Sequence, residues 1–356
     1  MDQASSNQKQ LRTLRLRVKD KHAAELSRQA RAVNYVWNYI NELSERSIRE
    51  LGCFLSVFDL HSYTTGASKE LGLHSHTVQK VAGSYVQARI QFRKRKLAWR
   101  RSGGVRRSLG WVPFNTGHAR WRNGQVHFNG TAYGVWDSYG LAGYTLRSGS
   151  FSEDSRGRWY FNVAVEVPIR KSTGKIAMGI DLGCKDAATT SEADVLHGRW
   201  YRADEKALAT AQRARKKRQT KKIHARIKNR RSNGIHQFST RIVEKSAAVF
   251  VGNVSSKAMV KTTMAKSALD AGWSSLKRAL EYKCASAGVI YQEVNEAYST
   301  RTCSECGALS GPKGLKELGI RQWSCVECGS SHDRDINAAR NIAALGIQSL
   351  AEGAYE

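Results

Sequence analysis

Cys303-Ser304-Glu305-Cys306 and Cys325-Val326-Glu327-Cys328 stand 18 residues apart, and a glycine, Gly307 or Gly329, follows each pair. A CxxC turn aims two thiolates at one point, so two such turns close a tetrahedron of soft ligands around a single cation. The spacing predicts a structural zinc ribbon. Four thiolates leave no open position, so this metal would organise structure and not activate water. The remaining cysteines, Cys53, Cys184 and Cys284, lack partners at ligand spacing and are expected as ordinary semi-buried thiols. An odd total of seven suits metal ligation in a reducing compartment better than disulfides.

The second constraint is charge. The 356 residues carry 58 Lys+Arg against 30 Asp+Glu, a formal net charge of +28. That much like charge repels itself unless a polyanion neutralises it, so nucleic acid is the expected partner. A membrane surface would call for a basic amphipathic helix beside apolar anchors, and no such helix stands out. The 41% hydrophobic content and three prolines indicate a folded chain of two or three domains. No run of about 18 apolar residues occurs and the opening residues lack a secretory pattern, so the expected location is the cytoplasm.

Organisation follows from periodicity. Leu11–Val18 alternates apolar and basic residues, which predicts a strand with Leu14, Leu16 and Val18 on one face and Arg15 and Arg17 on the other. From Lys21 the period becomes helical through Leu26, Ala30, Val33, Trp37 and Ile40, and a second helical run is expected from Ser75 to about Trp99. Trp37, Tyr39 and Phe54 read as helix core. Beyond Gly103 the pattern turns to β, with Asn-Gly turns at Asn123-Gly124 and Asn129-Gly130 and clean alternation over Trp159–Val167. After Gly174, buried strands alternate with long helices: Ile176–Gly183, a hairpin through Ala187–Thr190 and Leu196–Tyr201, a helical stretch over 203–248, Val249–Val251, a helix over 265–287, and Val289–Val294. That order predicts an α/β domain with a partly parallel sheet, preceded by a small antiparallel β-barrel into which helices are inserted.

Asp181 interrupts an apolar strand, where an ionised carboxylate is costly unless paired or bound to a cation. Asp335 follows the cysteine module near an expected helix N-terminus, where Asp is also a common cap. Singly, each reads as structural.

Together, Gly179-Ile180-Asp181-Leu182-Gly183, the CxxC…CxxC module and Asp335-Ile336-Asn337-Ala338-Ala339-Arg340-Asn341-Ile342 resemble the RuvC-type nuclease of the transposon-encoded TnpB family. These are compact RNA-guided DNA endonucleases related to type V CRISPR effectors. Ala297–Gly307 is similar to that family's entry to its zinc finger. The resemblance is detailed over about 175–345 and architectural before it. It implies an N-terminal wedge strand at 1–20, a helical recognition lobe at 21–103 and a wedge barrel at 104–174. An RNase H-like (RuvC) nuclease domain at 175–297, a zinc ribbon at 298–332 and a closing helix and tail at 333–356 would follow. It further implies a guide RNA, a double-stranded DNA target beside a short flanking motif, one chain per RNA, and association with the nucleoid when bound to DNA. Three carboxylates would hold two magnesium ions, with Asp181 the first acid and Asp335 the third.

The second acid departs from the pattern. The family places a Glu where this strand reads Val249-Phe250-Val251-Gly252-Asn253-Val254. Either the site is inactive, or a carboxylate from the neighbouring strand, about 4.8 Å away, reaches the same point. Glu296 is the candidate, since acids at the carboxyl ends of strands line such sites; Glu293 is the fallback, although it is three residues earlier and so falls on the opposite face. Two basic segments are expected to contact nucleic acid: Arg93, Arg95, Lys96, Trp99 and Arg100, and the acid-free run holding Arg215, Lys216, Lys217, Arg218, Lys221, Lys222 and Arg226. Alternatives are a nuclease-inactive RNA-guided repressor of the same fold and a metal-dependent nuclease or transposition accessory protein acting without RNA.

Overall fold

The alternating opening segment forms β1 (Lys9–Val18) in the computed structural model, which describes residues 9–169, 171–254, 269–313, 317 and 319–352. Leu14, Leu16 and Val18 are buried and Arg15 and Arg17 face away from them, as the alternation requires. The chain divides into two compact units at Pro168/Ile169, six residues before the expected boundary at 174.

In the first unit, α1 (Ala23–Leu51), α2 (Val57–Tyr63), α3 (Ala67–Leu71) and α4 (Ser75–Phe92) follow β1. The α1 stripe buries Leu26, Ala30, Val33 and Ile40, and Trp37 packs against the same core. Tyr39 and Phe54, expected as core, are exposed. The α4 helix stops seven residues before the predicted Trp99, because Arg93 turns left-handed (φ 49°). Residues 94–101 run irregularly along α1, whose asparagines replace the lost helical bonds. Asn41 donates to the Leu97 carbonyl and accepts from its N–H (2.8 and 3.0 Å), and Asn38 treats the Arg100 backbone in the same way (2.8 Å each). Asparagines on one helix thus satisfy a neighbouring backbone that a sequence period reads as helical.

The β region supplies β2 (Trp111–Phe114), β3 (Arg120–Arg122), β4 (Gln125–Phe128), β5 (Thr131–Tyr133), β6 (Val135–Trp136), β7 (Leu146–Glu153) and β8 (Trp159–Pro168). Both Asn-Gly pairs carry positive φ at both residues and link β3–β4 and β4–β5. Antiparallel ladders give an open sheet in the order β2-β7-β8-β1-β6 and a separate sheet β3-β4-β5. The expected barrel is therefore not closed by ladders among the described residues. Phe114, Phe128, Phe151 and Phe161 from both sheets pack ring to ring at 5.1–6.0 Å and form the core.

The second unit contains β9 (Ile176–Asp181), β10 (Asp186–Thr190), β11 (Val195–His197), α5 (Glu205–Arg213), α6 (Lys217–Lys245), β12 (Ser246–Gly252), α7 (Trp273–Ala287), β13 (Ile290–Val294), β14 (Gln322–Ser324), β15 (Ser331–Asp333) and α8 (Arg334–Glu352). The predicted helix over 265–287 is described from its later part, and 255–268 lie outside the described residues. The sheet order is β11-β10-β9-β12-β13, antiparallel across the first three strands and parallel across the last three. The apolar side chains of α6 and α7 cover one face through Phe238, Ile242, Leu276 and Leu280; Ile342 of α8 meets Phe250 and Val294 on the other. Gly179 permits this second layer to lie close, because a Cβ there would overlap the Ala339 carbonyl of α8. With Ala339 over Gly179, the first turn of α8 reaches the end of β9 that carries Asp181.

Candidate active site and zinc centre

The sulfur atoms of Cys303, Cys306, Cys325 and Cys328 all lie within 4.8 Å of one another. Sγ–Sγ separations of 3.7 Å (Cys303–Cys328) and 3.6 Å (Cys306–Cys325) match the edge of a tetrahedron with about 2.3 Å zinc–sulfur bonds, about 3.8 Å. The two turns are copies: Gly307 N–H donates to the Cys303 carbonyl and Gly329 N–H to that of Cys325, each at 2.9 Å. Two further groups support the thiolates. His332, buried against Trp323, places Nε2 3.1 Å from Cys303 Sγ, and Ser310 donates to Cys325 Sγ at 3.0 Å. Spacing alone did not single them out, since a donor to a ligand needs only proximity. The chemistry of this donor set fits zinc.

The ribbon is tied to α8 by amides. Asn337 accepts from the Ser304 N–H at 2.9 Å and donates to the Thr302 carbonyl at 2.8 Å; Asn341, one turn on, donates to the Ser299 and Thr302 carbonyls at 2.7 Å. The Asn337/Asn341 spacing in the sequence is thus the device that fixes the ribbon beside the turn carrying Asp335.

Asp181 ends β9, its backbone opposite Thr189. Burial, then the nearby Glu296 charge, push its carboxyl up to about 7, against the opposing pull of Arg334 and Arg321. Glu296 lies two residues beyond β13, which pairs in parallel with β12 so that Val294 faces Gly252. Its side chain folds back over Gly252, and its Oε2 occupies the space a Cβ at position 252 would need. Glu296 is half-buried, with Oε2 wholly buried and bonded to nothing. Burial raises its pKa, while Lys277 and the Val254 backbone N–H pull the other way. A buried carboxylate oxygen without a donor is an unsatisfied ligand position, and it sits near a second acid whose pKa burial also raises.

Asp335 is placed differently. Its carboxylate is ion-paired with Arg321, from the ribbon, and lies 3.4 Å from Arg334 Nε. Among the described residues only the cysteines bring three ligand atoms within 4.8 Å, so the three acids do not meet at one point here. Glu293 pairs with Lys277 at 2.6 Å and takes no part. Arg321, Arg334 and Lys277 had no sequence signal of their own; each neutralises an acid that the fold gathers.

Three of the expected nucleic-acid contacts already have partners within the protein. Arg100 is turned inward, its Nε donating to Asn34 at 2.6 Å and its guanidinium lying 5.8 and 5.6 Å from the Trp37 and Trp111 rings. Arg226 is ion-paired with buried Asp204, together with Arg230. Lys96 is held by Glu42 and Glu45 at 3.2 and 3.6 Å. Arg93, Arg95, Trp99, Arg215, Lys216, Lys217, Arg218, Lys221 and Lys222 are exposed, and none of these cations has an ion pair among the described residues.

Residues 160–263 match the OrfB_IS605 family model, described as "Probable transposase", and residues 273–342 match the Cas12f1-like TNB domain. A protein of Streptomyces pristinaespiralis, provisionally named an RNA-guided DNA endonuclease, is 29% identical over 94% of this chain and 88% of its own length. The InsQ protein of Escherichia coli K12, named in the same terms, is 28% identical over 56% of each chain. The protein chain of a Cas12f1–sgRNA–target DNA complex shares the fold at a TM-score of 0.57 and 13% identity, covering 94% of this chain and 99% of that one. The chain is likewise similar to TnpB-like proteins, among them L79 of Acanthamoeba polyphaga mimivirus, 29% identical over 36% of this chain and 25% of its own length. Among the described residues, no helix is long and apolar enough to cross a membrane.

Proposed function

We propose that this protein is an RNA-guided, magnesium-dependent DNA endonuclease in which Glu296 replaces the acid missing at Gly252. The observation that carries the reading is the Glu296 Oε2 atom: buried, without a donor, near Asp181, and filling the space that a side chain at 252 would otherwise take. The sheet order and its change from antiparallel to parallel support an RNase H-like domain, with the acids at the carboxyl ends of its strands.

Oxygen-only donors on Asp181, Glu296 and Asp335 fit magnesium, which keeps several waters and takes few protein ligands. Magnesium, when bound, stabilises charge on a scissile phosphate and activates water. In this reading Asp181 and Glu296 would hold the cation together with Asp335, whose carboxylate is now paired with Arg321. Arg321 and Arg334, both beside Asp335, would be placed to hold phosphate oxygens, which suits guanidinium geometry. Guide RNA and target DNA would be gripped through phosphates by the exposed cations at 93–95 and 215–222. Names of the relatives, the charge of +28 and the acid-free run on α6 support these partners.

One observation favours a second reading, a guided DNA binder that does not cut: Asp335 is ion-paired away from a common point with the other two acids. Protein purified with its guide RNA and given matched duplex DNA with magnesium separates the two. Strand cleavage that RNase treatment of the complex abolishes supports the endonuclease; stable binding without a cut supports the binder. Cleavage unaffected by RNase contradicts both.

A further inference from the structure

The solvent face of the first unit's sheet carries a cross-strand row of basic and aromatic side chains. Ladder register puts Arg17 of β1 directly opposite Tyr160 of β8 and directly opposite Trp136 of β6, all on the face away from Leu14, Leu16 and Val18. Since β6 is the edge strand, Trp136 is left 64% exposed. Arg15 covers the Tyr160 ring at 3.9 Å, and Lys19 Nζ lies 5.6 Å from the Trp136 ring. Arg15, Arg17, Trp136, Asp137, Ser138 and Tyr160 line a cleft of about 430 Å³ here.

Arg15 and Lys19 have no ion pair among the described residues. Asp137 turns its carboxylate to the Tyr139, Gly140 and Leu141 N–H groups at 2.8–3.1 Å and forms no ion pair with the three cations among the described residues. Asp20 takes one terminal nitrogen of Arg17, yet Arg17 Nε is buried with no acceptor. An exposed indole, a second ring capped by guanidinium, and cations set one strand-repeat apart fit a planar base flanked by phosphates.

We infer that this cleft binds an unpaired nucleotide of RNA, stacked on Trp136 with its phosphates on Arg15 and Lys19. Duplex DNA hides its base faces, so it offers nothing to stack here, whereas folded RNA presents unpaired bases and a ribose 2′-hydroxyl within reach of a group such as Ser138. Taking the nucleotide from RNA rests on the guided reading above.

The test uses full-length protein stripped of nucleic acid and a fluorescein-labelled single-stranded oligoribonucleotide, with the matching deoxyoligonucleotide and duplex DNA as comparators. Trp136→Ala should weaken RNA binding about tenfold, Trp136→Phe should stay within about threefold of wild type, and duplex affinity should not move. Circular dichroism should match wild type, because the side chain is exposed. Unchanged RNA affinity in a folded Trp136→Ala protein overturns the site while leaving the guided reading intact. An equal loss on the deoxyoligonucleotide overturns the assignment to RNA. Wild-type protein that binds no RNA overturns the site and the guided reading together.

Discussion

The Glu296 carboxylate occupies the volume that the Cβ of residue 252 would fill, so Gly252 and Glu296 form one unit: the first is empty so that the second can enter. Gly252→Ala therefore displaces the carboxylate. Cleavage should fall about 100-fold, with stability lowered by about 1–3 kcal/mol from overpacking. Pairing Gly252→Glu with Glu296→Gly returns an acid to the same space and should recover part of the rate. A Gly252→Ala enzyme cutting at the wild-type rate contradicts this coupling.

The raised pKa of Asp181 has a definite sign. In an unfolded chain the group titrates near 4, and in the fold at about 7. Between those values the folded state holds the extra proton, so metal-free stability falls as pH rises through the window and levels off above it. Asp181→Asn removes the titration. In chelator at about pH 8 its Tm should exceed wild type by several degrees, and the difference should close at about pH 5. Thermal melts across pH check this; a variant less stable at pH 8 would show that the carboxylate is not a buried, uncompensated charge.

Zinc content tests the ribbon. Metal analysis should find about one zinc ion per chain, and Cys306→Ser should lose most of it. The ribbon holds Arg321 beside Asp335, and its Ser304 N–H is bound by Asn337, so target cleavage should disappear with the metal. Retained cleavage in zinc-free protein would uncouple the ribbon from the site.

On α6, replacing Lys217, Arg218, Lys221 and Lys222 with Gln should leave stability within about 0.5 kcal/mol. The dependence of nucleic-acid affinity on salt should shrink by about 0.7–0.9 logarithmic units per phosphate contact removed. Arg226→Gln should behave differently, costing about 1–3 kcal/mol of stability, because it strips a partner from buried Asp204. Denaturant titrations and binding across a salt series separate these effects.

Much of this was legible from the chain. The cysteine spacing placed the thiolates because each CxxC is a local turn, and alternation over Leu11–Val18 fixed which arginines face out because strand period is strictly two. Glu296 was reachable through the missing side chain at Gly252, a local absence that pointed one strand over. The early end of α4 was not, because Asn38 and Asn41 of α1 supply its replacement bonds from more than 50 positions away in the sequence. Arg100, Lys96 and Arg226 read as free cations for the same reason: charge runs do not reveal which members a distant Asn or carboxylate has already engaged. Asp335 was placed in the right region, but its pairing with Arg321 depends on how the ribbon packs, which no local pattern encodes.

The most direct test is cleavage of matched target DNA by the guide-loaded Glu296→Gln protein, beside wild type, with magnesium. Gln keeps the shape above Gly252 and removes only the charge. The rate should fall at least about 100-fold while target binding stays within about threefold. A Glu296→Gln protein that cuts as fast as wild type would contradict the assignment of Glu296 as the second acid.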